Sequence, residues 1–137
     1  MTIATLDHVN IRTARIEESC RFYRDVLGMT LSLIPGMQDM SVGAWVHSAD
    51  GRPVIHLNRA PEGADFLGEV ADWAGFKGSA QIHHIAFRCD DYDATLKKLE
   101  EEGLALHFMD VPQINLRQIF VRDPNDILLE LNFLTEA

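Results

Sequence analysis

A chain of 137 residues with 47% hydrophobic and 24% charged residues has the composition of one globular domain, or of two small modules sharing a core, and not of a disordered segment. Its net charge of −9, with 12 Lys and Arg scattered along the sequence, argues against nucleic-acid binding, which needs a basic face. No apolar run approaches the ~20 residues of a membrane span. The opening residues, MTIATLDHVN, show no basic stretch leading into an apolar one, so a cytoplasmic protein is expected.

Residues 5–13 alternate between apolar and polar. Val9 and Ile11 point one way, and Leu6, His8, Asn10 and Arg12 the other, as in a strand with one greasy face. RIEESCRFYRDVLGM follows with Ile16, Cys20, Tyr23 and Leu27 on one helical stripe, Phe22 and Val26 beside it, and Gly28 placed to end the helix. Strands are expected near 30–34, at 42–48 and at 53–58, with ADGR as the turn between the last two. Arg59 to Ser79 is the least repetitive stretch; ADFLGEVADWAGF could hold a short helix, and Phe66, Trp73 and Phe76 suggest that it packs down. The pattern then restarts. QIHHIAFRC reads as a strand, and DDYDATLKKLEEEG as a helix with an Asp cap, a stripe at Tyr92, Leu96 and Leu99, and Gly103 at its end. Strands follow near 105–109, at 115–122 and at 127–133, with DPND at 123–126 as a type I turn. Cys20 and Cys89 are not spaced as a metal or redox pair and read as reduced packing residues.

The order is thus βαβββ, a linker, then βαβββ. One domain holds a first module over 1–58, a linker over 59–79 and a second module over 80–134. The fold class is α+β, with two tandem modules forming a curved mixed-sheet cup. The internal duplication is the most informative feature. It sets LDHVNIRT over IHHIAFRC, so that His8 falls over His84 and Arg12 over Arg88. It also sets PVIHLN over ILLELN, so that His56 falls over Glu130 and Asn58 over Asn132. By strand alternation His8, His84, His56 and Glu130 all lie on the face opposite the apolar one. Three imidazoles and one carboxylate in such a cup suit a borderline divalent cation. His83 falls on the other face and reads as structural or surface.

These residues resemble the vicinal oxygen chelate superfamily, the glyoxalase/bleomycin-resistance/dioxygenase proteins. HVNIRTARIEESCRFYRDVLGM is similar to the glyoxalase I entry motif through Ser19, Phe22, Tyr23, Leu27, Gly28 and Met29, and departs from it at Thr13 and Glu18. HHIAF resembles the strand carrying the second histidine, and FVRDPNDILLEL the closing hairpin with the last carboxylate. The resemblance covers nearly the whole chain. It implies paired βαβββ modules, one divalent ion (Fe, Zn, Ni, Co or Mn) bound through His8, His84 and Glu130, His56 as a fourth ligand or near neighbour, and a homodimer.

The departures bear on the reaction. Glyoxalase I usually has Glu where His56 stands, and paired glutamates share the proton transfer. Extradiol dioxygenases carry Tyr where Phe120 stands, Gly where Asp126 stands, and a catalytic His where VPQIN has none. Metal-free bleomycin binders lack the ligand set that this chain keeps.

Each candidate also has a plainer reading. A Glu inside ILLELNF would be costly unless paired. His47 beside Trp45 reads either as a base reaching into the cup or as a strand-edge residue, and His107 as structural. Arg12 and Arg88 share the ligand face and read as anion anchors or as partners of acidic side chains at the strand ends. Asn10, Asn58 and Asn132 face inward and could hydrogen-bond substrate or orient ligands. Trp45, Phe120 and Met40 line a pocket or simply pack.

The expected function is a metal-dependent lyase or isomerase of glyoxalase type. A small substrate would chelate the ion through vicinal oxygens, and Glu130, or else His56 or His47, would move a proton. The alternatives are Fe(II)-dependent ring-cleaving dioxygenase chemistry and a small-molecule binding or resistance protein.

Overall fold

The computed structural model describes residues 1–63 and 82–135, so the linker helix expected around Phe66, Trp73 and Phe76 lies outside the described residues. The chain divides into two compact units, residues 1–79 and 80–137. Each unit carries its own four-stranded mixed sheet, and the two sheets have equivalent strand orders.

In the first unit β1 (Val9–Thr13) leads into α1 (Ile16–Arg21), and β2 (Thr30–Ser32), β3 (Gly43–His47) and β4 (Pro53–Arg59) follow. The sheet order is β1-β4-β3-β2. β1 pairs parallel with β4, in the register Asn10↔His56, and β3 pairs antiparallel with both neighbours. Alternation works as the sequence implies. Ile11, Ala44, Val46, Ile55 and Leu57 are buried on one face, where α1 packs against β4 through Ile16, Ser19 and Cys20. Full burial of an Ile or Leu contributes about 1.5–3 kcal/mol relative to exposure, so this face holds the unit together.

The expected single helix after β1 is in fact two kinds of turn. After Arg21 the backbone widens into a π-helical segment, Phe22–Val26, in which the Leu27 N–H donates to the Phe22 carbonyl at 3.0 Å. The wider turn lets the adjacent Phe22 and Tyr23 both be buried, their rings edge-on at 5.3 Å, while Leu27 is only half-buried. Gly28, at φ +70, then reverses the chain at little steric cost. Thr13 has a local role too. Its Oγ1 accepts from the Arg15 N–H at 2.8 Å and its carbonyl from the Ala60 N–H at 2.7 Å, tying the start of α1 to the end of β4.

The second unit repeats the plan with β5 (Ile85–Arg88), α2 (Tyr92–Glu101), β6 (His107–Val111), β7 (Leu116–Arg122) and β8 (Leu128–Leu134), in the order β5-β8-β7-β6. The Asp91 carboxylate caps α2 by accepting from the Ala94 N–H at 3.0 Å. Ile119, Val121, Leu129, Leu131 and Phe133 form the apolar face of the sheet and are buried, as is Leu99 of α2. The DPND turn is closed by Asp126 N–H to the Asp123 carbonyl at 3.1 Å.

The strands carrying the two leading histidines are shorter than expected. β1 begins at Val9 and β5 at Ile85, so His8 and His84 each stand one residue ahead of the ladder. Among the described residues no helix is long and apolar enough to cross a membrane.

Candidate metal centre

His56 sits in the middle of β4 on the face away from the core, between Asn10 of β1 and Trp45 of β3 in register. Asn10 Nδ2 lies 3.1 Å from His56 Nδ1, and the Trp45 ring stacks on the imidazole at 4.6 Å and 24°. His56 Nε2 is buried and has no hydrogen-bond partner. An Asn amide exchanges its oxygen and nitrogen by a flip; with Oδ1 toward the imidazole it accepts from Nδ1–H and leaves the Nε2 lone pair free. Either orientation leaves Nε2 unpaired, which costs about 1–3 kcal/mol in a protein interior unless something else binds there. Burial, and then the nearby His8 imidazole, push the His56 pKa below its ordinary value and favour the neutral ring.

His8 stands beside this pair. Its Nδ1 lies 2.5 Å from the Asp7 carboxylate, which fixes the proton on Nδ1 and leaves Nε2 as the free nitrogen. The His8 ring meets Trp45 edge-on at 4.8 Å and lies 6.4 Å from the His56 ring. Asp7 was not singled out by the sequence reading, although an acidic residue next to a candidate ligand is a usable signal.

The second unit carries the other pair. Glu130 occupies in β8 the place that His56 occupies in β4, opposite Phe120 and Ala86. Its side chain is 17% exposed, and Oε1 lies 3.9 Å from His84 Nε2, beyond hydrogen-bond reach. Oε2 accepts from Asn132 Nδ2 at 2.9 Å, and Asn132 Oδ1 accepts from Gln118 Nε2 at 2.9 Å. Gln118 is buried and was missed in the sequence; the signal was a polar residue two positions from Phe120 on the same face of an otherwise apolar strand. His83 Nδ1 lies 3.0 Å from His84 Nδ1, so His83 touches the candidate ligand instead of pointing away from it.

All four donors therefore share one arrangement. Each has one nitrogen or oxygen in contact with a neighbouring side chain and another unengaged, as ligands oriented by outer partners do. Three imidazoles and a carboxylate fit a divalent ion of the Zn, Fe, Ni or Co kind. Within neither unit do three His, Cys, Asp or Glu side chains converge, among the described residues. His8 and His56 lie in the first unit, and His84 and Glu130 in the second.

The remaining candidates divide. Trp45 and Asn10 touch His56, and Asn132 touches Glu130. Arg12 and Asn58 face each other in register across β1 and β4, and the buried Arg12 Nε has no hydrogen-bond partner, so the pairing with an acidic side chain is not made there. His47 hydrogen-bonds within its own unit, to Ser32 and Gly51. Phe120 lies 5.9 Å from His107, and both line a cavity of about 420 Å³ with Leu106, Val121 and Leu128. Neither His84 nor Glu130 lines that cavity, although Phe120 stands opposite Glu130 in register.

Residues 5–131 match the Glyoxalase/Bleomycin resistance protein/Dioxygenase superfamily. A relative from Arabidopsis thaliana, Glyoxylase I 4, is 29% identical over 132 residues, spanning 94% of this chain and 70% of the relative. Among solved structures, a glyoxalase/dioxygenase from Nostoc punctiforme superposes with a TM-score of 0.73 at 18% identity, covering 97% of this chain and 92% of that one. A lactoylglutathione lyase from Agrobacterium tumefaciens superposes with a TM-score of 0.65 at 19% identity, covering 97% and 96%. At such identities the superpositions speak for the fold alone. With its doubled βαβββ plan and a match that runs from before the first histidine to past the last carboxylate, this chain belongs to the glyoxalase/bleomycin resistance/dioxygenase superfamily.

Proposed function

We propose that the chain is a divalent-metal-dependent lyase or isomerase of glyoxalase type, acting on a small substrate with two neighbouring oxygens. The observation that carries this reading is the buried, unpartnered Nε2 of His56, matched in the other unit by a Glu130 carboxylate of which Asn132 engages only one oxygen. His8, His56, His84 and Glu130 would hold the ion. When bound, it would supply Lewis-acid stabilisation of negative charge on the substrate oxygens. The chain's own residues do the rest. Asp7 holds His8 in the tautomer that offers Nε2, and Asn10, with its amide flipped so that Oδ1 meets Nδ1, does the same for His56. Trp45 shields His56 from water. Asn132, held by Gln118, fixes Glu130 Oε2, and Glu130 Oε1, once off the ion, takes the proton from the substrate carbon and returns it to the neighbouring one. Likeness to Glyoxylase I 4 supports this class of chemistry. A second copy of the chain is the proposed partner, and light scattering tests it.

The deciding experiment is metal content per chain in protein purified without added metal or chelator, in wild type, Glu130→Ala and His56→Ala. About one Zn, Ni, Co or Mn per chain in wild type, with turnover of hemithioacetals, supports the reading. Iron together with O2 consumption on catechols would transfer it to the dioxygenase alternative, for which two His and one carboxylate is a suitable set. Failure to take up any ion on reconstitution would sink both and leave a small-molecule binding protein.

A further inference from the structure

The first unit carries a second constellation that the metal reading does not use. His47 Nδ1 lies 3.0 Å from the Gly51 carbonyl, and His47 Nε2 lies 2.7 Å from Ser32 Oγ. A carbonyl oxygen only accepts, so the proton of the neutral ring sits on Nδ1. Nε2 is then an acceptor, and the Ser32 hydroxyl donates to it. This is the arrangement of an activated nucleophile: a hydroxyl bonded to a base that a third group orients.

Three features build it deliberately. His47 follows Trp45 by two residues on β3, so it lies on the same face of the sheet, diagonal to Ser32 of β2. Gly51, at φ +85, turns its carbonyl back toward the ring in a turn closed by Gly51 N–H to Ser48 O at 2.9 Å. Ser32 stands opposite Trp45 in register, so its hydroxyl is on the face away from the core. The duplication does not explain the pair: in the second unit the residue facing Phe120, as Ser32 faces Trp45, is His107.

We propose that Ser32 and His47 form a metal-independent acyl-accepting site for small activated esters or thioesters. Ser32 Oγ attacks the carbonyl carbon and its proton passes to His47 Nε2. The C–O or C–S bond breaks, and that proton leaves with the alcohol or thiol. Water then attacks the acyl-serine, gives a proton to His47, and releases the carboxylic acid as the proton returns to Ser32 Oγ.

The test uses the full chain in excess chelator, so its outcome is independent of the metal centre. p-Nitrophenyl acetate should release a burst of about one nitrophenolate per chain, with acetate mapped to Ser32 by peptide mass spectrometry. His47→Gln should slow acetylation at Ser32 by about 100-fold or more, the usual share of a general base. Ser48, whose hydroxyl donates to Asp50 and not to an imidazole, should stay unmodified. Ser32→Cys keeps His47, and its new thiol should be alkylated by iodoacetamide at least about tenfold faster than Cys89, which tests the pair even if His47→Gln does not fold. Acetylation spread over the surface without enrichment at Ser32, acetate on His47, equal labelling in His47→Gln, or a thiol in Ser32→Cys no faster than Cys89 would each overturn the assignment.

Discussion

The two sheets follow one plan and hold their donors in different ways. In the first unit an imidazole sits at the central position, and an aromatic ring and one Asn position it: Trp45 stacks on His56 and Asn10 meets Nδ1. In the second a carboxylate sits there, and a relay of amides positions it: Gln118 to Asn132 to Glu130. The residues opposite Asn58 and Asn132 mark the divergence. Opposite Asn132 is Gln118; opposite Asn58 is Gly43, where an added Cβ would run into the Leu57 carbonyl oxygen. A ring with one free nitrogen is oriented by a stack, whereas a carboxylate that rotates about its last bond needs a donor on one oxygen. The difference in chemistry at one position explains the differences around it.

Removing a donor should break this scheme most severely. Glu130→Ala is expected to lower metal affinity by about 100-fold or more, more than loss of an orienting residue costs, as read by titration of the metal-free protein. Asn132→Leu leaves every donor in place and frees Glu130 Oε2. The expected loss is about 10- to 100-fold, with Gln118→Leu causing a smaller loss in the same direction. Equal affinity in Asn132→Leu would show that the relay is only structural.

A third change tests the asymmetry. Gly43→Ala should destabilise the chain by about 1–3 kcal/mol in urea unfolding, because the tightest clash, with the Leu57 carbonyl oxygen, is with backbone that cannot swing aside. Gln118→Ala, at the matching place, opens space instead and should spare the fold better. The smallest effect is on pH dependence. His56 is neutral more readily folded than unfolded, so the folded state binds fewer protons between its lowered pKa and the ordinary value near 6.5. Stability of the metal-free protein should therefore fall as pH drops below about 6.5, and His56→Gln should remove that part of the slope. Trp45→Ala exposes the ring and should flatten it too.

Much of the fold was legible because burial is written locally. Ile55 and Leu57, or Leu129 and Leu131, announce a buried face by alternation alone, and the duplication doubled every such signal. Legibility failed where a property depends on a turn or on a distant strand. The π-helical Phe22–Val26 reads as ordinary helix, because the widening serves two adjacent buried aromatics and not a period. His8 and His84 read as strand residues but precede their ladders. Asp7, Gln118 and Ser32 went unnoticed beside the residues they serve.

By itself the sequence determined the order of elements, the apolar face of each strand, the pairing of His8 with His84 and of His56 with Glu130, and the family. These follow from short-range periodicity and from repetition, which need no knowledge of neighbours. Only the tertiary structure decided that Asn10 meets His56, that Gln118 reaches Asn132, and that His47 meets Ser32. Those contacts depend on register between strands far apart in the chain. A slip of one residue would leave the composition unchanged and send each side chain to the other face.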